Sequence, residues 1–74
     1  MKVNLISVVI PVYNEANTIK NNALRVANIL QNDNILYEII LIDDGSKDNS
    51  WNEMERCILE IPGVKARRIQ LRSA

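Results

Sequence analysis

Residues 37–50 read YEIILIDDGSKDNS, an apolar run that ends abruptly on two adjacent carboxylates, Asp43 and Asp44, and a glycine, Gly45. Four consecutive aliphatics, Ile39 to Ile42, predict a strand over Tyr37 to Ile42 that is buried on both faces, as central parallel strands are. Two ionised carboxyls side by side repel each other, so stability alone is a poor reason to set them there. The pair is either a turn held by Asx-type hydrogen bonds or the rim of a site. The flanking sequence has to decide.

Upstream, Leu5 to Val12 (LISVVIPV) is β-branched and apolar on both faces, which again predicts a buried parallel strand. Pro11 lies near its end, where a missing backbone donor does least harm. A helix is expected from about Glu15 to Gln31, with Asn14 or Asn17 as its N-cap. Ile19, Ala23, Val26, Ala27 and Leu30 recur at helical spacing and form its apolar stripe, and the polar turn Asn32-Asp33-Asn34 ends it. Downstream, a second helix is expected over Asn49 to Glu60, capped by Asp48 or Asn49, with Trp51, Met54, Ile58 and Ile61 on one face. Pro62-Gly63 stops it. Val64 to Leu71 then reads as a third strand whose three charges suit a sheet edge. The order is βαβαβ. It predicts an α/β fold, half of a doubly wound, mostly parallel sheet with strand order 3-2-1 and right-handed crossovers.

Composition narrows the function. The chain has 74 residues, enough for one small domain at most. A hydrophobic content of 47% with 24% charge is that of a globular segment. Nine basic and nine acidic residues cancel, so no nucleic-acid partner is expected from charge. One cysteine, Cys57, rules out an internal disulfide, and with no histidine it makes a zinc site implausible. No apolar stretch reaches the roughly 18 residues of a membrane span, and Met1 to Asn4 opens no signal peptide, so a cytoplasmic setting is expected.

In open α/β sheets, ligands sit outside the carboxyl ends of the strands. Strand one ends in Pro11-Val12-Tyr13-Asn14-Glu15 and strand two in Asp43-Asp44-Gly45-Ser46. Adjacent strands lie about 4.8 Å apart, so the two clusters should border one crevice. The first loop has no glycine and is therefore not a G-x-G-x-x-G dinucleotide turn, and no phosphate loop of the G-x-x-x-x-G-K type occurs. What the crevice offers is a ring on which a flat base can stack (Tyr13), an amide (Asn14) and acceptor-only carboxylates (Glu15, Asp43, Asp44). Carboxylates accept from ring N–H groups and sugar hydroxyls but repel phosphate unless a cation intervenes. This chemistry suits the nucleoside end of a nucleotide.

The pair SVVIPVYNEANTI and YEIILIDDGSKDNSW, one helix apart, closely resembles the opening of the family-two glycosyltransferases of GT-A fold. Within that family it is most similar to enzymes that transfer a sugar from a nucleotide donor to a polyprenyl phosphate, the dolichol-phosphate mannose synthase type. The resemblance covers essentially the whole chain. It implies that Pro11, Tyr13, Asn14, Glu15, Asp43, Asp44 and Gly45 form a nucleotide-sugar site, with Tyr13 against the base. Asp44 would accept a hydrogen bond from the base, Asp43 would support it, and Gly45 would allow the turn. It further implies a UDP- or GDP-sugar donor and a lipid-phosphate or glycan acceptor, such as a growing cell-wall or surface polysaccharide. A divalent cation, Mg or Mn, is implied for the full enzyme. The family's D-x-D metal motif and catalytic base are absent from residues 1–74, so their ligands and the catalytic residues are expected outside this chain. The chain is accordingly expected to be the N-terminal part of a longer catalytic domain, peripheral to or anchored in a membrane.

The alternative from another class is a receiver-type signalling domain, which also sets paired acids after an aliphatic strand to hold magnesium. Those domains carry the pair after strand one and a phosphoacceptor two strands later, whereas here the pair follows strand two and the third strand runs into Arg72-Ser73. Asp48, Asn49 and Ser50 read as helix caps, Trp51 and Cys57 as core, and Tyr37 as a packing residue. Arg67 and Arg68 read as exposed edge-strand charges. Strand order 3-2-1 sets both helices on one face of the sheet. The other face is then expected to meet the remainder of the domain or a second copy of the chain.

Overall fold

The computed structural model describes residues 5–69, and the order of elements is that expected from the sequence. Strand β1 (Leu5–Val12), helix α1 (Ile19–Asn32), strand β2 (Leu36–Asp44), helix α2 (Ser50–Glu60) and strand β3 (Val64–Ile69) follow one another along the chain. The sheet is parallel throughout, in the order β1-β2-β3, with Val8 opposite Ile39 and Val12 opposite Asp43 on one side of β2, and Asp43 opposite Arg68 on the other. The predicted end of the third strand at Leu71, and Arg72 beyond it, lie outside the described residues.

Alternation along the strands sorts the side chains into two layers. Val12, Ile39, Leu41, Asp43, Val64 and Ala66 face the helices and are buried. Ile19, Ala23 and Ala27 of α1 and Met54 and Cys57 of α2 close over them, with Ile61 at the α2 terminus, in one continuous core. A Lys20–Glu60 ion pair links the two helices on this face. The opposite face carries Leu5, Val9, Leu36, Glu38, Lys65 and Ile69, and among the described residues no helix lies over it. Strand β1 is therefore not buried on both faces as its composition predicts. Val12 is its only buried residue, and Val9 is 59% exposed.

Two boundaries and one buried position differ from the sequence reading, each for a local reason. Helix α1 starts at Ile19, four residues late, because Asn14 takes a left-handed φ of 50° and residues 16–18 form a turn. Thr18, not Asn14 or Asn17, takes the N-cap position, and its N–H donates to the Glu15 carbonyl at 3.0 Å. On α2 the buried positions are Ser50, Met54 and Cys57, continued by Ile61, so Cys57 is core as expected but Ile58, expected on the same face, is exposed. The helical period from Met54 reaches the core at i+3 and i+7, and Ile58 falls to one side. Strand β2 runs on to Asp44, which makes both carboxylates strand residues rather than loop residues.

Tyr37 packs as expected. Its hydroxyl donates to the Pro62 carbonyl at 2.8 Å and accepts from Gln31 Nε2 at 2.7 Å, and its ring closes over Gly63. At Gly63, φ is 83° and an added Cβ would stand 2.9 Å from Tyr37 Cε2, so only glycine fits the turn into β3.

Candidate functional site

The carboxyl ends of β1 and β2 stand side by side, and the loops that leave them are fastened to each other. Asn14 is the centre of that fastening. Its N–H donates to Ser46 Oγ at 2.9 Å, and its own Oδ1 accepts the Lys47 N–H at 2.8 Å. The next two amides continue the pattern, Glu15 N–H to Ser50 Oγ at 2.8 Å and Ala16 N–H to Asp48 Oδ2 at 3.2 Å. Three successive amides ahead of helix α1 are thus satisfied by side chains of Ser46, Ser50 and Asp48, 32 to 35 residues away.

The second loop is held from inside as well. Asp48 Oδ1 accepts both the N–H and the hydroxyl of Ser50, and Ser50 is fully buried. The Ser50 hydroxyl, first of all, holds the Asp48 carboxyl below the ordinary range for an aspartate, with the Ser50 and Ala16 amides adding to it against some loss of hydration. Asn49 occupies the N-cap position of α2 without a side-chain cap bond, while its Oδ1 accepts from Asn52 Nδ2. Asp48 and Ser50, which read as mere caps, therefore tie one loop to the other.

Strand alternation settles the question of the adjacent carboxylates. Asp43 faces the helices and is 0% exposed. Its Oδ1 accepts the Ser46 N–H at 3.1 Å, and its Oδ2 accepts Arg68 Nε at 3.1 Å from the facing position on β3. Asp44, one residue on, turns to the other side of the sheet and is half-buried at the crevice. The repulsion between two adjacent charges is relieved because they sit on opposite faces and Asp43 is paired with Arg68. Gly45 then takes a φ of 72°, a left-handed conformation open to glycine, and turns the chain toward Ser46.

Of the predicted site residues, Tyr13, Glu15 and Asp44 stand at or just beyond the carboxyl ends of β1 and β2, with Tyr13 37% exposed, Glu15 exposed and Asp44 half-buried. Pro11, opposite Ile42, is exposed on the uncovered face just before them. Asn14 and Asp43 belong to the framework, since the Asn14 carbonyl oxygen and both Asp43 oxygens carry bonds within the chain. Sequence reading missed the bridging roles of Ser46, Lys47, Asp48 and Ser50, and took Arg68 for a plain edge charge. The signal available for the first group was the loop's richness in short oxygen-bearing side chains opposite a loop with unpartnered amides.

Among the described residues there is no group of three or more His, Cys, Asp or Glu side chains able to hold a metal ion. Asp43 and Asp48 are engaged within the chain, so these loops do not form a cation site by themselves. The receiver-type alternative needs paired acids open toward one magnesium ion, and Asp43 and Asp44 face opposite sides. No helix among the described residues is long and apolar enough to cross a membrane.

The family model described as glycosyl transferase family 2 matches residues 7–71. Among curated proteins, the chain is 44% identical over 54 residues to an undecaprenyl-phosphate 4-deoxy-4-formamido-L-arabinose transferase of Proteus mirabilis, covering 73% of this chain and 17% of that protein. It is 36% identical over 63 residues to a dolichol-phosphate mannosyltransferase of Pyrococcus furiosus, covering 85% of this chain and 17% of that protein. A UDP-N-acetylglucosamine–dolichyl-phosphate N-acetylglucosaminyltransferase of Methanococcus voltae is 52% identical over 52 residues, covering 69% of this chain and 18% of that protein. The chain thus spans less than a fifth of the length of these relatives.

Proposed function

The chain belongs to glycosyl transferase family 2, and from that premise we propose that it is the nucleoside-binding part of an enzyme that transfers a sugar from a UDP- or GDP-sugar. The acceptor is a polyprenyl phosphate. The names of the three relatives, each a transferase to or of a polyprenyl or dolichyl phosphate sugar, support this choice. One observation carries the nucleoside reading: a half-buried carboxylate, Asp44, and a partly exposed ring, Tyr13, at the carboxyl ends of adjacent parallel strands. A base stacks on the Tyr13 ring while its ring N–H donates to Asp44. Glu15 is available to the sugar hydroxyls. The loops bring no glycine-rich cradle for phosphates, so the diphosphate lies farther along, neutralised by a divalent cation whose ligands belong to residues outside this chain.

The test uses the full-length protein with UDP- and GDP-sugars and a short-chain polyprenyl phosphate. Formation of the polyprenyl-phosphate sugar with one of the two donors is the expected result. Failure to bind either UDP or GDP would overturn the reading.

A further inference from the structure

We propose that Arg68 is a positioning residue of the nucleoside site, acting through Asp43 and not by touching the nucleotide; the site itself rests on the function proposed above. Arg68 lies directly across from Asp43 on the helix-covered face, a cross-strand pair of opposite charge. Its Nε donates to Asp43 Oδ2 at 3.1 Å, and its guanidinium carbon stands 4.4 Å from the centre of the Trp51 ring. Trp51 comes from the first turn of α2, so the guanidinium is fixed on one side by a carboxylate and on the other by an aromatic face.

The pairing reaches the crevice through a short chain of bonds. Asp43 uses its second oxygen to hold the Ser46 N–H, and the Ser46 hydroxyl holds the Asn14 N–H. Asp44 and Gly45 lie between the two anchored residues Asp43 and Ser46, and Tyr13 is the neighbour of Asn14. Arg68 is therefore linked, through Asp43 and Ser46, to both loops that leave the carboxyl ends of β1 and β2. A fully buried carboxylate is costly to leave without its counter-charge. Without Arg68, Asp43 turns toward water, and the hold on Ser46 loosens. Lysine does not substitute fully, because a point ammonium cannot both pair with the carboxylate and lie flat on Trp51.

Arg68→Ala and Arg68→Lys in the full-length protein test this by two readouts. The first is hydrogen exchange at the Ser46 and Asn14 amides, which needs no ligand. Both amides are expected to lose protection in Arg68→Ala, and to a lesser degree in Arg68→Lys, while the Leu41 amide in the middle of β2 keeps its own. The second readout compares the affinity for UDP and GDP with that for uridine and guanosine. A positioning role predicts a loss of roughly tenfold that is the same for nucleoside and diphosphate, and no further loss when Asp43→Asn is added. A loss confined to the diphosphates would make Arg68 a phosphate ligand and overturn the proposal. Unchanged exchange at Ser46 would overturn it as well, and that arm decides even if Arg68→Ala fails to fold, through Arg68→Lys. Absence of any nucleotide binding by the unaltered protein would instead sink the proposed function, leaving the exchange data to judge the Arg68–Asp43–Ser46 linkage by itself.

Discussion

The two faces of the sheet carry similar numbers of aliphatic side chains and lead different lives. On the covered face, Ile39, Leu41 and Met54 are almost wholly removed from water, and even the one carboxylate there, Asp43, has both oxygens bonded. On the other face, Val9 and Leu36 are more than half exposed, and the polar contacts are surface ones, Ser7 and Lys65 converging on Glu38. Asp43 and Asp44, neighbours in sequence, fall one on each side of this division. The difference teaches that an acidic pair need not be one functional unit: alternation makes Asp43 a strut within the covered face and sets Asp44 on the opposite one.

Mutations should respect that division. The largest effect is expected for Met54→Ala, which opens a cavity at a fully buried position and should cost about 3 kcal/mol of stability in urea unfolding. Val9→Ala on the bare face should cost less than about 0.5 kcal/mol, and equal losses at the two sites would break the comparison. Asp43→Ala comes next. It strands the Ser46 amide and Arg68, but Arg68 is half-exposed and regains water, so about 2 kcal/mol is expected.

The bare face sharpens the contrast at the level of association. Parallel sheets are normally covered on both sides, so the 74-residue chain made alone is expected to self-associate through the Val9–Leu36 face or the open edge of β1. Sedimentation equilibrium should find oligomers that Val9→Glu shifts toward monomer. A folded, strictly monomeric chain at high micromolar concentration would show that this face needs no cover.

A smaller effect is expected from acid. The Asp48 carboxyl titrates below the ordinary aspartate value, chiefly because it accepts from the Ser50 hydroxyl. A group whose folded pKa is lowered contributes stability above its unfolded value of about 4 and loses it as pH falls through the folded value. The tie from Asp48 to Ala16 should therefore be intact from neutral to mildly acidic pH and loosen only below about pH 4. Carbon-detected NMR titration of the carboxyls should find Asp48 among the last to protonate. An Asp48 that protonates at or above the ordinary value would contradict the bonding described.

Much of this was legible in the sequence, for identifiable reasons. Hydrophobic runs, the Pro62-Gly63 stop and the Ile19-Ala23-Ala27 stripe are local signals, and the strand order followed from their alternation. That the two loops meet at the carboxyl ends of β1 and β2 followed from the order. What escaped was long-range: Asn14 reads locally as a cap, but its carbonyl oxygen meets Lys47, 33 residues on. Alternation in VKARRI sets Arg68 on the face of Val64 and Ala66 and Arg67 on the other, but that Arg68 meets a buried aspartate there depends on the register with β2. Cys57 was read as core and is buried, whereas Ile58, read on the same face, is exposed, because one helical step decides which of two adjacent apolar residues faces the core.

The most direct test of the division of labour between the two aspartates is calorimetric titration of the full-length Asp44→Ala protein with UDP and GDP. Loss of a charged acceptor for a base N–H should weaken whichever nucleotide binds by about 1–3 kcal/mol, with the fold intact. Unchanged affinity for that nucleotide would remove Asp44 from the site and contradict the account.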